Sequence, residues 1–289
     1  MPTTPEIIAA HRAAGRTITV DGLNTFVLEQ GQGEPVLCLH GVPTSSFLYR
    51  KVIAELAGRG LRGISFDLPG LGFTDRPADF DYGFANLAHF TARVTEELGL
   101  ERFHLVVHDV GGPVGFAMAA THPERIRSLT ILNTWVDVVN FTKPLPMRPF
   151  ELPLVGEAEL ATINHLTWQL MWKGLGVKDS DRIPTAESNA YVDLLKRDDG
   201  GTAFLKIMRS FPGSEAFRDL CYRAVRDVPY PVQAIWGMDD PGLTYDRYGE
   251  EIKRVAGLEE VYGVRAKHFV PEERAGEIAE RVAGLVKGI

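Results

Sequence analysis

The stretch Leu105-Val-Val-His-Asp-Val-Gly-Gly-Pro-Val-Gly-Phe116 decides the fold. An apolar run stops at His108, an acid follows, and glycines open a helical pattern. Pro113 falls in the first turn of that helix, where a missing N–H costs little. This is the form of a strand that turns sharply into a helix and exposes one side chain, here Asp109, above a sheet. Strand and helix pass very close in such a turn, so Gly111 and Gly112 stand where larger residues would collide. An aspartate before a helix is also a good N-cap. Its chemistry therefore depends on what else in the chain can reach it.

Outward from this turn, short apolar runs alternate with helical patterns. Thr17–Val20 and Thr25–Glu29 read as strands joined by a tight Asp21-Gly22 turn, Val36–His40 as a buried strand, and Gly63–Asp67 as the next. Phe103–His108 and Ile126–Leu132 continue the series. Helices are predicted over Ser45–Leu56, Ala85–Leu98 and Gly111–Thr121. Such alternation means a mostly parallel sheet with helices on both faces. The rhythm breaks from Trp135 to about Pro212, a stretch rich in proline (Pro144, Pro146, Pro149, Pro153) and then helical. Strands resume at Pro231–Trp236 and Glu259–Val264. The chain thus reads as an α/β core (1–134 and 214–289) with an inserted α-helical cap (135–213), which places an apolar pocket above the strand ends.

Composition narrows the function. The chain has 289 residues, 45% of them hydrophobic and 24% charged, with a net charge of −7. That is enough chain for a full core without metal or disulfide support. A mildly acidic surface is a poor partner for nucleic acid or an anionic membrane. No apolar run approaches the roughly 18 residues of a membrane span. Met1–Thr17 has no signal-peptide pattern, and the two cysteines, Cys38 and Cys221, are expected to be buried free thiols in a cytoplasmic protein. Gly-Lys-Ser/Thr and His-Glu-x-x-His motifs are absent, and Gly70-Leu-Gly72 lacks the third glycine of a dinucleotide fingerprint. No cofactor or metal is expected.

A carboxylate attacks an electrophilic carbon without prior deprotonation and leaves a covalent ester. Hydrolysing that ester calls for a base, and His268 lies in a loop between the last strand and the C-terminal helix. The histidine calls for an orienting acid. Asp240, directly after the Pro231–Trp236 strand, is the first choice, with Asp239 as the alternative and Asp137 a weaker one. An oxyanion needs backbone N–H donors, expected from Val110 and Val42. His40 and His108, on strand ends beside the site, are read as structural hydrogen-bonding residues.

Several segments together resemble haloalkane dehalogenases of the α/β-hydrolase superfamily. They are His40-Gly-Val-Pro-Thr-Ser-Ser-Phe-Leu-Tyr-Arg50, Asp67-Leu-Pro-Gly-Leu-Gly-Phe-Thr-Asp-Arg-Pro77, Val107-His-Asp-Val-Gly-Gly112, Leu132-Asn-Thr-Trp135, Trp236-Gly-Met-Asp-Asp240 and Ala266-Lys-His-Phe269. The resemblance spans nearly the whole core in order and is weak in the cap. It implies Asp109 as nucleophile, His268 as base and Asp240 as acid, with halide displaced by the carboxylate and the ester hydrolysed to an alcohol. The implied partners are a small apolar organic substrate and water, for a monomer or homodimer. Two positions depart from the pattern. Val110 stands where such enzymes usually carry a tryptophan, and Val42 where they often carry an asparagine, and valine offers no side-chain donor. Trp135, Trp168 or Trp172 would then hold the halide. The alternative reading is an epoxide hydrolase, which needs acidic hydroxyls from the cap. Tyr191 is one candidate, while Ile207 and Met208 stand where a second tyrosine belongs. A further alternative is a hydrolase-fold protein that binds a ligand without turnover.

Overall fold

The structure, a computed structural model, describes residues 1–288. Its strands are β1 (Gly15–Val20), β2 (Leu23–Gln30), β3 (Pro35–Leu39), β4 (Arg62–Phe66), β5 (Phe103–His108), β6 (Ile126–Leu132), β7 (Val232–Gly237) and β8 (Tyr262–Val264). They form one sheet in the order β1-β2-β4-β3-β5-β6-β7-β8. β1 pairs antiparallel with β2, and β2 with β4. All pairings from β4 through β8 are parallel. All six residues of β5 are buried, His104 and His108 included, so its sequence does not alternate apolar and polar residues as a half-exposed strand does.

The helices are α1 (Thr4–Ala14), α2 (Arg50–Gly58), α3 (Phe84–Glu97), α4 (Gly111–Thr121), α5 (Val155–Thr162), α6 (His165–Met171), α7 (Thr185–Lys196), α8 (Thr202–Arg209), α9 (Glu215–Arg223), α10 (Glu250–Val255), α11 (Val270–Glu273) and α12 (Ala275–Lys287). α2 packs with α12, and α4 with both α3 and α9. From β6 to β7 the chain forms only helices and loops, α5 to α9. Helix α9 returns to the α4 layer. Among the described residues no helix is long and apolar enough to cross a membrane. Cys38 and Cys221 are buried free thiols.

Two local readings change. The predicted helix over Ser45–Leu56 starts as a tight 3-10 turn, Ser46–Tyr49, before α2. The Ser45 hydroxyl accepts the Phe47 N–H and holds the tighter turn. α1 was not expected, although its start signal is present: Glu6 accepts the Thr3 N–H at 2.7 Å and Pro5 sits in the first turn.

Strand order reverses at β3, which has β4 on one side and β5 on the other. In an open α/β sheet, ligands bind beyond the strand C-termini at such a switch point. Asp109 follows β5, and Gly41-Val42 lie just past β3.

Candidate functional site

Asp109 has a left-handed backbone, φ 52°. Non-glycine residues rarely hold that conformation, and where they do, the surroundings must fix it. Here the Asp109 N–H donates to the Asn133 carbonyl at 3.1 Å. Its own carbonyl accepts from the Gly112 N–H at 2.8 Å and from the Thr134 hydroxyl at 2.6 Å. The glycines after it are sterically required. A Cβ on Gly111 would lie 2.3 Å from the Leu39 carbonyl oxygen, and one on Gly112 would lie 1.9 Å from Thr134 Oγ1. On the opposite side, a Cβ on Gly41 would meet Asp109 Oδ1 at 2.2 Å.

The carboxylate of Asp109 is gripped from two sides. The Val42 N–H donates to Oδ1 at 2.8 Å, and the nearby Val110 N–H helps to hold the carboxylate charged. Oδ2 faces His268 Nε2 at 3.5 Å. His268 Nδ1 lies 2.8 Å from Asp240 Oδ2. Asp240 is buried and fully engaged. Its Oδ2 also accepts from Asn133 Nδ2 at 2.8 Å, and Oδ1 accepts the N–H groups of Gly242 and Leu243 at 2.8 and 3.0 Å. The other two acids lie elsewhere. Asp239 pairs with Lys178 in a partly exposed bridge. Asp137 closes a turn by accepting the N–H groups of Val139 and Asn140.

The His268 loop is fixed from three directions. Phe269 N–H donates to the Gly176 carbonyl at 2.8 Å. Glu273 accepts the N–H groups of Lys178, Asp179 and Lys267. His108 Nε2 lies 2.9 Å from the His268 carbonyl, which makes Nε2 the protonated nitrogen of that ring. The His108 ring also packs on the His268 ring, 4.6 Å between centroids.

These contacts set the charges. Burial favours neutral His268, but the carboxylates of Asp240 and Asp109 outweigh it and raise its pKa to about 10. Burial likewise pushes Asp109 and Asp240 up, and hydrogen bonds and the His268 charge more than reverse this, so both stay below the ordinary aspartate value. His108 is neutral, its pKa lowered to about 4 by burial and by the neighbouring His268. Asp109, His268 and Asp240 therefore form a charged chain, anion–cation–anion.

Asp109, His268 and Asp240 open onto a cavity of about 90 Å³ with a largely apolar wall. Trp135, Trp168 and Trp172 line it, as do Val42, Phe141 and Phe211. Trp135 stacks on Phe141, 3.9 Å between centroids, and on Phe211. Nε1 of Trp168 and of Trp172 is buried without a hydrogen-bond partner. Tyr191 does not face the cavity as expected. Its hydroxyl donates to Glu272 Oε1 at 2.5 Å, in a buried cluster where Arg50 and Lys51 also meet Glu272. The carboxylate draws the phenol away, and the ring is packed between Trp172 and Phe269. Sequence reasoning missed Asn133 as a partner of Asp240, and it missed Phe141, Lys143 and Phe211 in the wall. Asn133 was visible as the residue following a buried strand beside β5. The wall residues left no comparable signal. Among the described residues no group of His, Cys, Asp or Glu is arranged to hold a metal ion.

The family model for the alpha/beta hydrolase fold matches residues 34–157. Haloalkane dehalogenase 2 of Mycobacterium tuberculosis is 26% identical over 270 residues, which is 88% of this chain and 88% of that one. The crystal structure of the haloalkane dehalogenase DbeA from Bradyrhizobium elkani superposes with a TM-score of 0.78 at 23% identity, covering 95% of this chain and 99% of that one. The epoxide hydrolase CorEH superposes with a TM-score of 0.77 at 20% identity, covering 95% and 98%. The chain has the α/β-hydrolase fold.

Proposed function

We propose that this chain, an α/β hydrolase related to haloalkane dehalogenases and epoxide hydrolases, hydrolyses a small haloalkane through a covalent ester on Asp109. The observation that carries the choice is the pair of buried, unpartnered indole N–H groups of Trp168 and Trp172. Both residues line the cavity that Asp109 enters. A buried donor without a partner is costly, and an anion is the natural group to satisfy two of them.

In the first step, Oδ2 of Asp109 attacks the carbon bearing the halogen. The carbon–halogen bond breaks, and the halide leaves with the bonding electrons toward the indoles. Oδ1 stays on the Val42 N–H, with the Val110 N–H beside it as the second donor. In the second step, His268, no longer held protonated by an Asp109 charge, gives its resting proton to solvent, and Nε2 then takes a proton from water as the water oxygen adds to Cγ of the ester. The resulting oxyanion on Oδ1 is already aimed at those two N–H groups. Collapse expels the alkoxide, which takes the proton from His268, and the carboxylic acid passes its own proton to His268, which restores the resting pair of charged Asp109 and charged His268. The sum is haloalkane plus water giving alcohol, halide and a proton. Asp240 stabilises the imidazolium and fixes its tautomer. Donors in place of side chains at Val42 and Val110 come, in this reading, from the cap indoles.

An engineered cavity of about 150 Å³ takes benzene. The cavity here is smaller, about 90 Å³, which favours a short-chain substrate. Epoxide opening is less well supported, because no tyrosine is among the residues that line the cavity and the Tyr191 hydroxyl is committed to Glu272.

The test is a single turnover of 1-bromobutane in ¹⁸O water. The label should enter the Asp109 peptide, leave the first butanol unlabelled and accompany bromide release. His268→Gln should accumulate a butyl adduct on that peptide. Label in the first butanol would mean direct attack by water and would sink the covalent reading. Ligand-induced thermal stabilisation with neither bromide nor diol formed would instead favour a binding protein.

A further inference from the structure

The cavity wall holds one charged group that this cycle leaves unused. Lys143 lines it, and its side chain is only 8% exposed. Its ammonium sits over the Phe211 ring, 3.7 Å from the centroid, and that ring stacks with Phe141 and Trp135. Its ionic partner is Glu151, at the end of the 3-10 turn Leu145–Glu151. The Glu151 side chain is 43% exposed. The other charged residues of the wall are Asp109, His268 and Asp240.

An ammonium withdrawn from water into an apolar wall is costly unless something repays it. The Glu151 bridge alone is a weak return, because an ion pair with a half-exposed partner contributes little net free energy. Anchoring the 145–151 turn would need only a surface pair, not a lysine in the cavity wall. A neutral haloalkane has nothing to offer the ammonium. A carboxylate on the substrate does, and it can take the place of Glu151, whose side chain is free to turn into water. The low local dielectric then strengthens the new pair. Asp109 adds a constraint. A carboxylate on the carbon next to the leaving group would crowd the Asp109 anion, so the two ends of the substrate must be apart.

We propose that Lys143 is an anion subsite and that the substrate is an ω-halogenated carboxylate, its halogenated carbon against Asp109 and its carboxylate on Lys143. The assignment of the halogenated end rests on the reading of Asp109 given above. The subsite itself is tested without any chemistry at Asp109.

Sodium butanoate and 1-butanol, neither of which can react, are titrated calorimetrically into the full chain. Butanoate should bind at least tenfold tighter than butanol. Lys143→Met should lose that advantage, Lys143→Arg should keep it, and Glu151→Gln should increase it by removing the competing carboxylate. A bridge that only anchors the turn predicts weaker or unchanged binding in Glu151→Gln. Should Lys143→Met fail to fold, the Arg and Glu151 variants still decide the matter. In turnover, Lys143→Met should lower the kcat/KM ratio of 4-bromobutanoate over 1-bromobutane by tenfold or more. Butanoate binding no tighter than butanol, or equal in wild type and Lys143→Met, overturns the subsite. Bromide released from neither substrate while butanoate still binds through Lys143 would leave the subsite standing and overturn the nucleophile reading instead.

Discussion

Replacing Trp168 or Trp172 by Phe removes an indole N–H and keeps an aromatic ring in the wall. The Trp172 ring lies 5.2 Å from those of both Tyr191 and Phe269, and Trp168 packs on the same pair at 6.2 and 6.4 Å. A smaller ring retains most of that stacking. Two effects on stability oppose each other. Losing a buried N–H that has no partner relieves a penalty of about 1–3 kcal/mol. The vacated space costs about 1 kcal/mol for each 40 Å³ left unfilled. The difference is about 2 kcal/mol at most, so Tm should move by no more than about 8 °C. The rate should respond far more. In the proposed displacement, charge on the halide grows in the transition state, where one well-placed donor is worth about 2.7–4 kcal/mol, or 10²–10³ in kcat. Each single variant should therefore lose about a hundredfold or more in bromide release from 1-bromobutane. The double variant should fall short of the product of the two losses if both indoles hold one halide. Bromide should also become a weaker product inhibitor in each variant. Wild-type rates and wild-type bromide inhibition in folded Trp168→Phe and Trp172→Phe would refute the assignment of the leaving-group site.

The two adjacent aspartates should separate cleanly. Asp240→Asn should cost orders of magnitude in turnover, about 10⁴ by analogy with other triads. Asp239→Asn only breaks a partly exposed bridge to Lys178 and should cost about 1 kcal/mol of stability or less. Tyr191→Phe removes a hydrogen bond to a buried carboxylate, worth about 1.5–3 kcal/mol. Tm should fall, and an unchanged Tm would place that bond outside the folded state in solution. The His268 pKa is raised from 6.5 to about 10 by folding. Its contribution to stability is thus complete below pH 6.5 and is lost as pH rises through about 10. The Tm difference between wild type and His268→Gln should shrink over that window, and a constant difference would contradict the ion pair.

Three segments around the site could be bounded residue for residue from sequence: Phe103–His108, Gly111–Thr121 and Ile126–Leu132. Fully buried parallel strands and a glycine-opened helix give sharp boundaries, and side chains just past such strands must converge. The proximity of Asp109, His268 and Asp240 was legible for that reason. The preference for Asp240 over its neighbour came from position alone, and its physical basis is the Gly242 and Leu243 N–H groups that turn it inward. The wall of the cavity was much less legible. Helical periodicity tells which face of a cap helix is buried but not what it is buried against. Tyr191 looked like a cavity phenol because its partner, Glu272, lies far along the chain on α11. Lys143 gave no signal, because the ring beneath it, Phe211, comes from the far end of the helical segment.

In the proposed cycle the charged chain also times the two steps. In the resting protein, burial presses His268 to give up its proton, and two carboxylates together hold it on. Alkylation of Asp109 turns one of those carboxylates into a neutral ester. Burial is unchanged, Asp240 alone opposes it, and the His268 pKa must fall. The base is thus released at the moment there is an ester for water to attack, and not before. The two steps should therefore differ in their pH dependence. Alkylation uses the Asp109 carboxylate, which stays ionised well below neutrality, so its rate should be flat from about pH 5 to 9. Hydrolysis needs neutral His268, so its rate should rise with pH and level off at a midpoint clearly below the value of about 10 that holds in the resting protein. Rapid quench followed by mass measurement of the Asp109 adduct resolves the two rates. A hydrolysis midpoint at or above 10 would show that the charge of Asp109 is not what keeps the proton on His268.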